Sequence, residues 1–173
     1  AYPSGGLYAP CLRALRGRYY LACTHVSGGG NFIVQAPHPE GPWSDPVWVD
    51  QPGIDPDLFE DTDGTVYLTT SHWRTDLNNT RLLQSVIDPD TGRRLTEPAI
   101  LWEGTGALGT EGSHLFRIGS MVYLMAAEGG TEFGHMEVIA RADTPTGPWE
   151  SNPRNPILSH RSTGHPVQCT GHA

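Results

Sequence analysis

The sequence lacks the features that would carry a chain into a membrane or onto nucleic acid. No apolar run approaches the ~18 residues that a membrane-spanning helix needs. Basic residues are few: 11 Lys and Arg stand against 19 Asp and Glu, a formal net charge of −8. That balance argues against nucleic acid or an anionic membrane as partner. Cysteine is scarce, and Cys11, Cys23 and Cys169 fit no metal or redox spacing. An odd count cannot pair fully within the chain, which speaks against a disulfide scaffold. No charged-then-apolar leader stands at Ala1, and the compartment stays open between cytoplasmic and secreted.

Turn formers, by contrast, are abundant: 21 Gly and 15 Pro in 173 residues. That is enough chain for one domain with a real core, and the composition suits many short strands joined by tight turns. A repeated unit organises them. Gly109-Thr110-Glu111-Gly112-Ser113-His114-Leu115-Phe116 runs on to Val122-Tyr123-Leu124, and Gly53-Ile54-Asp55-Pro56-Asp57-Leu58-Phe59 runs on to Val66-Tyr67-Leu68. A third version is Tyr8-Ala9-Pro10-Cys11-Leu12 with Tyr19-Tyr20-Leu21. The anchor tyrosines Tyr20, Tyr67 and Tyr123 are 47 and 56 residues apart. A period of about 50 residues with strand patterning and no helix in the unit points to propeller blades. Glu40-Gly41-Pro42-Trp43-Ser44-Asp45-Pro46 recurs as Thr146-Gly147-Pro148-Trp149-Glu150-Ser151-Asn152-Pro153, about two periods on.

Taken in order, residues 1–10 read as loop. Strands are expected at Tyr19–Val26, Asn31–Ala36, Val47–Val49, from Ile54, at Tyr67–Trp73 and Arg81–Ile87, then from Glu111, at Met121–Ala127 and at His135–Arg141. Asp61-Thr62-Asp63-Gly64 is acidic but lacks the remaining positions of a calcium loop, so a hairpin turn is expected. The expected fold is all-β: a five-bladed β-propeller of which about three blades, the second to fourth, fall within residues 1–173. The blades run roughly over 6–52, 53–108 and 109–169. By spacing, Thr170-Gly171-His172-Ala173 opens the next blade, so the chain is expected to be an internal piece of a longer protein.

In a propeller the first strand of each blade lines the central channel, and equivalent positions converge there. Two of the three units carry an acid before the anchor leucine, Asp55 and Glu111, and these are expected to reach one pocket. Two neighbouring carboxylates resist simultaneous ionisation, which pushes one pKa up. A carboxylic acid still protonated near neutrality is the general acid of glycoside hydrolysis. Each residue has a plainer reading as well, Asp before Pro as a turn opener and Glu111 as solvated surface. Trp73 suits either core or a sugar-stacking platform. His114, His135, His160 and His165 fit no standard ligand spacing, so no metal site is expected from the residues themselves.

The chain resembles glycoside hydrolase family 43, in particular its β-xylosidase and α-L-arabinofuranosidase members. The resemblance rests on Gly6-Leu7-Tyr8-Ala9-Pro10, Gly41-Pro42-Trp43-Ser44-Asp45-Pro46, Gly53-Ile54-Asp55-Pro56, Glu111-Gly112-Ser113-His114-Leu115, Ala127-Glu128-Gly129-Gly130-Thr131, Asn155-Pro156-Ile157-Leu158 and Thr170-Gly171-His172-Ala173. It implies a five-bladed propeller that hydrolyses with inversion. It places Glu111 on the general acid and Asp55 on the aspartate that tunes the acid's pKa. Trp73, Thr131 and His172 fall on positions lining the sugar pocket or channel, and Tyr8 stands where tryptophan is usual, which alters substrate stacking. Ser113 stands where proline is usual, which is expected to loosen the backbone behind Glu111. No cofactor is implied as a requirement, and the position of His172 leaves room for a calcium ion in the central channel. The family's base, an aspartate in an Asp-Pro-Asp setting, has no counterpart here, because Asp55-Pro56-Asp57 has the context of the tuning residue. The pocket arginine of the last blade is also missing.

The implied function is removal of terminal β-D-xylosyl or α-L-arabinofuranosyl residues from xylan-derived oligosaccharides, with the 173 residues alone inactive and poorly folded. The partner would be a xylo-oligosaccharide or an arabinose-substituted oligosaccharide. Two other classes compete: a carbohydrate-binding propeller without catalysis, and a structural propeller that presents a protein-binding face. The structural reading gives no reason for Asp55 and Glu111 to share one axis.

Overall fold

The computed structural model describes residues 5–76, 78–161 and 163–172. Among these there is no helix. Thirteen strands form three antiparallel sheets. The first sheet holds β1 (Leu7–Leu15), β2 (Arg18–His25), β3 (Gly30–Ala36) and β4 (Val47–Val49) in chain order. The second holds β5 (Ile54–Glu60), β6 (Val66–Arg74), β7 (Asn79–Asp88) and β8 (Arg93–Arg94), with β9 (Ala99–Trp102) also paired to β7. The third holds β10 (Glu111–Ile118), β11 (Met121–Glu128), β12 (Met136–Ala142) and β13 (Glu150–Ser151).

Local chemistry explains these meanders. Arg16 and Gly17 join β1 to β2 with φ of 52° and 73°, the positive values that a two-residue hairpin of matching twist demands. Asp61 to Thr65 closes a hairpin between β5 and β6, with the Gly64 amide donating to Asp61 O at 2.9 Å. Asp61 itself accepts from Arg117 Nε at 2.8 Å, so this acidic stretch acts as a turn and an ion-pair partner. One expectation fails at the start of the chain: residues 7–10 belong to β1. Their alternation is weak, but pairing of Leu7 with His25 and Tyr8 with Thr24 supplies the backbone partners that local pattern did not announce.

The core has two layers. Leu15, Tyr20, Ala22, Ile33 and Val49 of the first sheet pack on Leu58, Val66, Leu68 and Ile87 of the second. On the opposite face of the second sheet, Phe59, Leu82 and Leu101 pack on Leu115, Val122, Leu124, Ala126 and Val138 of the third. The middle sheet is therefore apolar on both faces, as in a stack of three sheets. Trp149 of the second Gly-Pro-Trp element lies against the second of these layers.

The three first strands are neighbours in the order β1, β5, β10. Their register repeats. Leu12 pairs with Leu21, Leu58 with Leu68, and Leu115 with Leu124; a bulge precedes each, between Tyr8 and Cys11, Ile54 and Asp57, and Glu111 and His114. Counted back from the leucines, Cys11, Asp57 and His114 are the equivalent residues, and they meet. Asp57 is 1% exposed. Its Oδ1 accepts from Arg13 Nη2 at 2.6 Å, Arg13 Nε at 3.0 Å and Cys11 Sγ at 3.1 Å. Its Oδ2 accepts from the Leu115 amide at 2.9 Å, and His114 Nδ1 lies 3.1 Å from Oδ1. One carboxylate thus ties a strand from each sheet.

Removing one member of a buried ion pair leaves the other uncompensated, at a cost of ~3–5 kcal/mol. Asp57→Ala is therefore expected to lower unfolding free energy by about 3 kcal/mol, the lower end because Arg13 keeps partial access to water. Urea unfolding checks it, and a loss well under 1 kcal/mol would show that the three strands are held by the apolar layers alone.

Candidate functional site

The bulges also decide where the two candidate carboxylates go. Asp55 is equivalent to Gly112, three residues before the leucine, whereas Glu111 is equivalent to Ile54, four before it. The offset of one residue is the one their counts to the leucines give. They still come to one site, because the extra residue of each bulge re-aims its side chain. Asp55 has φ of 52°, a left-handed conformation that aspartate tolerates better than most residues. Its carboxylate Oδ2 accepts from the Gly112 amide at 3.2 Å, immediately beside Glu111.

His172 completes the arrangement. Its Nε2 is 3.5 Å from Asp55 Oδ2, and its ring stands 5.6 Å from that of His135. A side chain at Gly112 would meet the His172 ring at 2.7 Å, so glycine is required for this approach. His135 Nε2 lies 3.8 Å from Glu111 Oε1. Thr131 favours the charged form of Glu111.

Both carboxyls bind protons more tightly than usual. Burial raises Asp55, partly offset by the charge of His172, the Gly112 amide and His114. Burial and the neighbouring Asp55 charge raise Glu111, with His172 and Thr131 opposing. Burial, together with His172, lowers the pKa of His135. The result is an acid that holds its proton more tightly than an ordinary glutamate, beside a second carboxyl bonded to the adjoining Gly112 amide.

Beside Asp55 a pocket of ≈ 120 Å³ is lined by Ala9, Pro10, Cys11, Pro56, Ser113, His114 and His172 among others. Glu111, Tyr8, Trp73 and Thr131 stand outside that lining. Tyr8 is 44% exposed on β1 and Trp73 49% exposed near the end of β6, while Thr131 lies on the exposed turn after β11. Ser113 is buried, with its hydroxyl unpartnered. Sequence reasoning assigned no role to Asp57, Arg13, His135 or Glu137. Asp57 carried a signal, its place directly before the anchor leucine, the position at which equivalent side chains converge.

Among the described residues two groups offer three metal-ligating atoms: Cys11, Asp57 and His114, and Glu111, His135 and His172. In the first, Arg13 already occupies Asp57. The second supplies one carboxylate and two imidazoles, whereas calcium takes about six to eight oxygen ligands. Neither donor set fits calcium.

The comparisons with known proteins agree on the family. The model of Glycosyl hydrolases family 43 matches residues 2–173. A non-reducing end alpha-L-arabinofuranosidase of Bacteroides ovatus is 41% identical over 98% of this chain and 32% of its own length. A beta-xylosidase of Bacillus subtilis is 38% identical over 98% of this chain and 34% of its own. The crystal structure of a xylan beta-1,4-xylosidase from Bacillus halodurans superposes with a TM-score of 0.89 at 32% identity, covering 99% of this chain and 35% of that one. The chain spans about a third of the length of the relatives it matches.

The raised carboxyls set a stability trend. A carboxyl whose folded pKa exceeds its unfolded value costs nothing below the ordinary carboxylate range. The cost grows as pH rises through that range and is complete above the folded value. Each tenfold gain in proton affinity is worth ~1.4 kcal/mol, less where solvent screens it. Glu111→Gln removes this cost, so the mutant should gain stability over wild type between about pH 4 and about pH 8. Denaturation midpoints at both pH values check this, and equal midpoint gaps would contradict it.

Proposed function

Since the chain belongs to glycosyl hydrolases family 43, we propose that it carries the general acid of a glycosidase that removes terminal β-D-xylosyl or α-L-arabinofuranosyl residues from xylan-derived oligosaccharides with inversion. The observation that carries this reading is the Asp55–Gly112–Glu111 arrangement: a proton-retaining glutamate whose neighbouring amide is held by a second, buried carboxyl. In this reading the three sheets are the second to fourth blades of a five-bladed propeller, stacked through the two apolar layers.

The chemistry follows from the geometry. Protonated Glu111 gives its proton to the glycosidic oxygen as the bond to the anomeric carbon breaks, and the bonding electron pair leaves on that oxygen. Positive charge builds on the sugar ring, and a water attacks the opposite face after losing a proton to a base. Asp55 acts on Glu111 through space, raising its pKa and anchoring the Gly112 amide. Thr131 meets the carboxylate that remains after proton donation. Trp73, Tyr8 and His172 are assigned to the sugar's surroundings, His172 through its contact with Asp55. The reaction is acid–base chemistry and calls on no cofactor.

The base is assigned outside these 173 residues. Asp57 is ruled out for that role because Arg13, Cys11 and the Leu115 amide occupy its oxygens in a buried setting. Expressed by themselves, the 173 residues are expected to show no turnover of xylosides or arabinofuranosides, and turnover by them would overturn that assignment.

Hydrolysis of β-xyloside and α-L-arabinofuranoside by the protein from its complete gene, wild type against Glu111→Gln, tests the reading. A general acid contributes about 10²- to 10⁴-fold, so the mutant should lose that much kcat on sugar leaving groups. The loss should be smaller on nitrophenyl glycosides, whose leaving group needs little protonation. A well-folded wild type that binds xylo-oligosaccharide without hydrolysing it would replace the enzyme with a carbohydrate-binding protein.

A further inference from the structure

Glu128 is a carboxylate where the sheet calls for an apolar residue. Alternate residues along a strand share a face, so Leu124, Ala126 and Glu128 of β11 all point toward the second sheet. Leu124 and Ala126 lie in the apolar layer between the two sheets, and Glu128, next in line, is fully buried. Taking a carboxylate out of water is costly even when its lone pairs are occupied, and an apolar residue would extend the layer without that cost. Acidic side chains are almost never fully buried unless paired. What Glu128 pairs with is therefore the point of interest.

Its hydrogen-bond donors come from the loop that leads from β9 into β10. Oε1 accepts from the Thr105 amide at 2.7 Å and from the Thr110 hydroxyl at 3.0 Å, and Oε2 accepts from the Thr105 hydroxyl. The loop comes this close because Gly104, with φ of 77°, has no side chain. One there would collide with Glu128 Oε1 and the Thr110 hydroxyl.

Thr110 is held from a second direction. It is fully buried, and its carbonyl accepts from Ser71 Oγ of β6 and Thr80 Oγ1 of β7, each at 2.8 Å. Its side chain is thus tied to the third sheet and its carbonyl to the second, the sheet that bears Asp55. Glu111 is the next residue. The Thr110 carbonyl and the Glu111 amide share one rigid peptide plane, so fixing the carbonyl fixes the backbone at which Glu111 begins. One residue beyond Glu111, the Gly112 amide donates to Asp55. The backbone carrying the acid is anchored to the second sheet on both sides.

We infer that Glu128 and Thr110 are positioning residues for Glu111: the Glu128 carboxylate holds the Thr110 side chain, and through it sets where the Glu111 carboxyl stands. This rests on the reading of Glu111 as general acid, but the placement itself is tested without it. Misplacing a reacting group by about 1 Å costs up to ~10²-fold in rate.

The test uses the protein from its complete gene with Thr110→Val, which keeps shape and withdraws the hydroxyl from Glu128, and Thr110→Ser, which keeps the hydroxyl. On xylobiose, kcat should fall about tenfold in Thr110→Val with KM little changed. The fall should be smaller on a nitrophenyl xyloside, whose leaving group needs little protonation, and Thr110→Ser should recover most of it. Hydrogen exchange of the Gly112 amide should quicken in Thr110→Val by about tenfold more than that of the core amides of β11, a local opening that general loss of stability does not produce. If Thr110→Val fails to fold, Thr105→Val at an exposed position withdraws the other hydroxyl and carries the same expectations. If the wild type is inactive on both sugars, the functional reading falls while hydrogen exchange still judges the positioning. Equal quickening of the Gly112 and core amides, or an unchanged kcat on xylobiose in a folded and active variant, would overturn the inference and leave Glu128 as a purely structural residue.

Discussion

The structure turns on the Asp57 carboxylate. It is removed from water and surrounded by donors from two neighbouring strands, Arg13 and Cys11 from β1 and the Leu115 amide from β10, while its own strand lies between them. An ionised carboxylate is tolerated in such a place because its lone pairs are occupied and an opposite charge is adjacent. Apolar layers alone would let neighbouring sheets slide by small steps, since dispersion and area burial are non-directional. The Asp57 contacts are directional, and they fix the registers of β1, β5 and β10 relative to one another. The same cluster silences Cys11, whose thiol is pushed up to about 12 by burial and by the Asp57 charge.

The candidate site is a consequence of that fixed register. With Asp57 and Leu115 locked, the bulges just upstream place Asp55 beside the Gly112 amide and turn Glu111 toward His135 and His172. The chemistry comes from residues one step out of equivalence, Asp55 and Glu111, while the equivalent residues Cys11, Asp57 and His114 provide the frame. A symmetric repeat thus yields an asymmetric pair of carboxyls, one bonded to backbone and one left to hold a proton. Glu128 supports the site from the other side: fully buried, it accepts from the Thr105 amide at 2.7 Å and the Thr110 hydroxyl at 3.0 Å, fixing the loop that delivers Glu111.

Much of this was legible in the sequence, and for physical reasons. The Tyr-Leu anchors at Tyr67-Leu68 and Tyr123-Leu124 marked strands because alternation along a half-buried strand is a strong signal. The Asp61–Gly64 turn was readable from its residue types. Glu111 and Asp55 stood out as acids at the mouths of apolar strands. What stayed hidden depends on register. Counting to the leucine gives the one-residue offset between Asp55 and Glu111, but a bulge leaves no mark in composition, so how the offset pair still meets could not be seen. Leu7 to Pro10 looked like loop because their partners, His25 and Thr24 among them, lie beyond a hairpin. His135, just before β12, had no visible role in the sequence because Thr170–His172 is brought to it only by the fold.

The functional account reduces to one electrostatic claim, that Asp55 raises the proton affinity of Glu111 from a neighbouring strand. The most direct measurement is the pH dependence of kcat/KM for Asp55→Asn beside wild type, in the protein from its complete gene. The alkaline limb reports ionisation of the acid in the free protein. Removing the Asp55 charge while keeping its size should move that limb to lower pH. A limb that stays in place, or moves upward, would contradict the account and return Asp55 to a purely structural part.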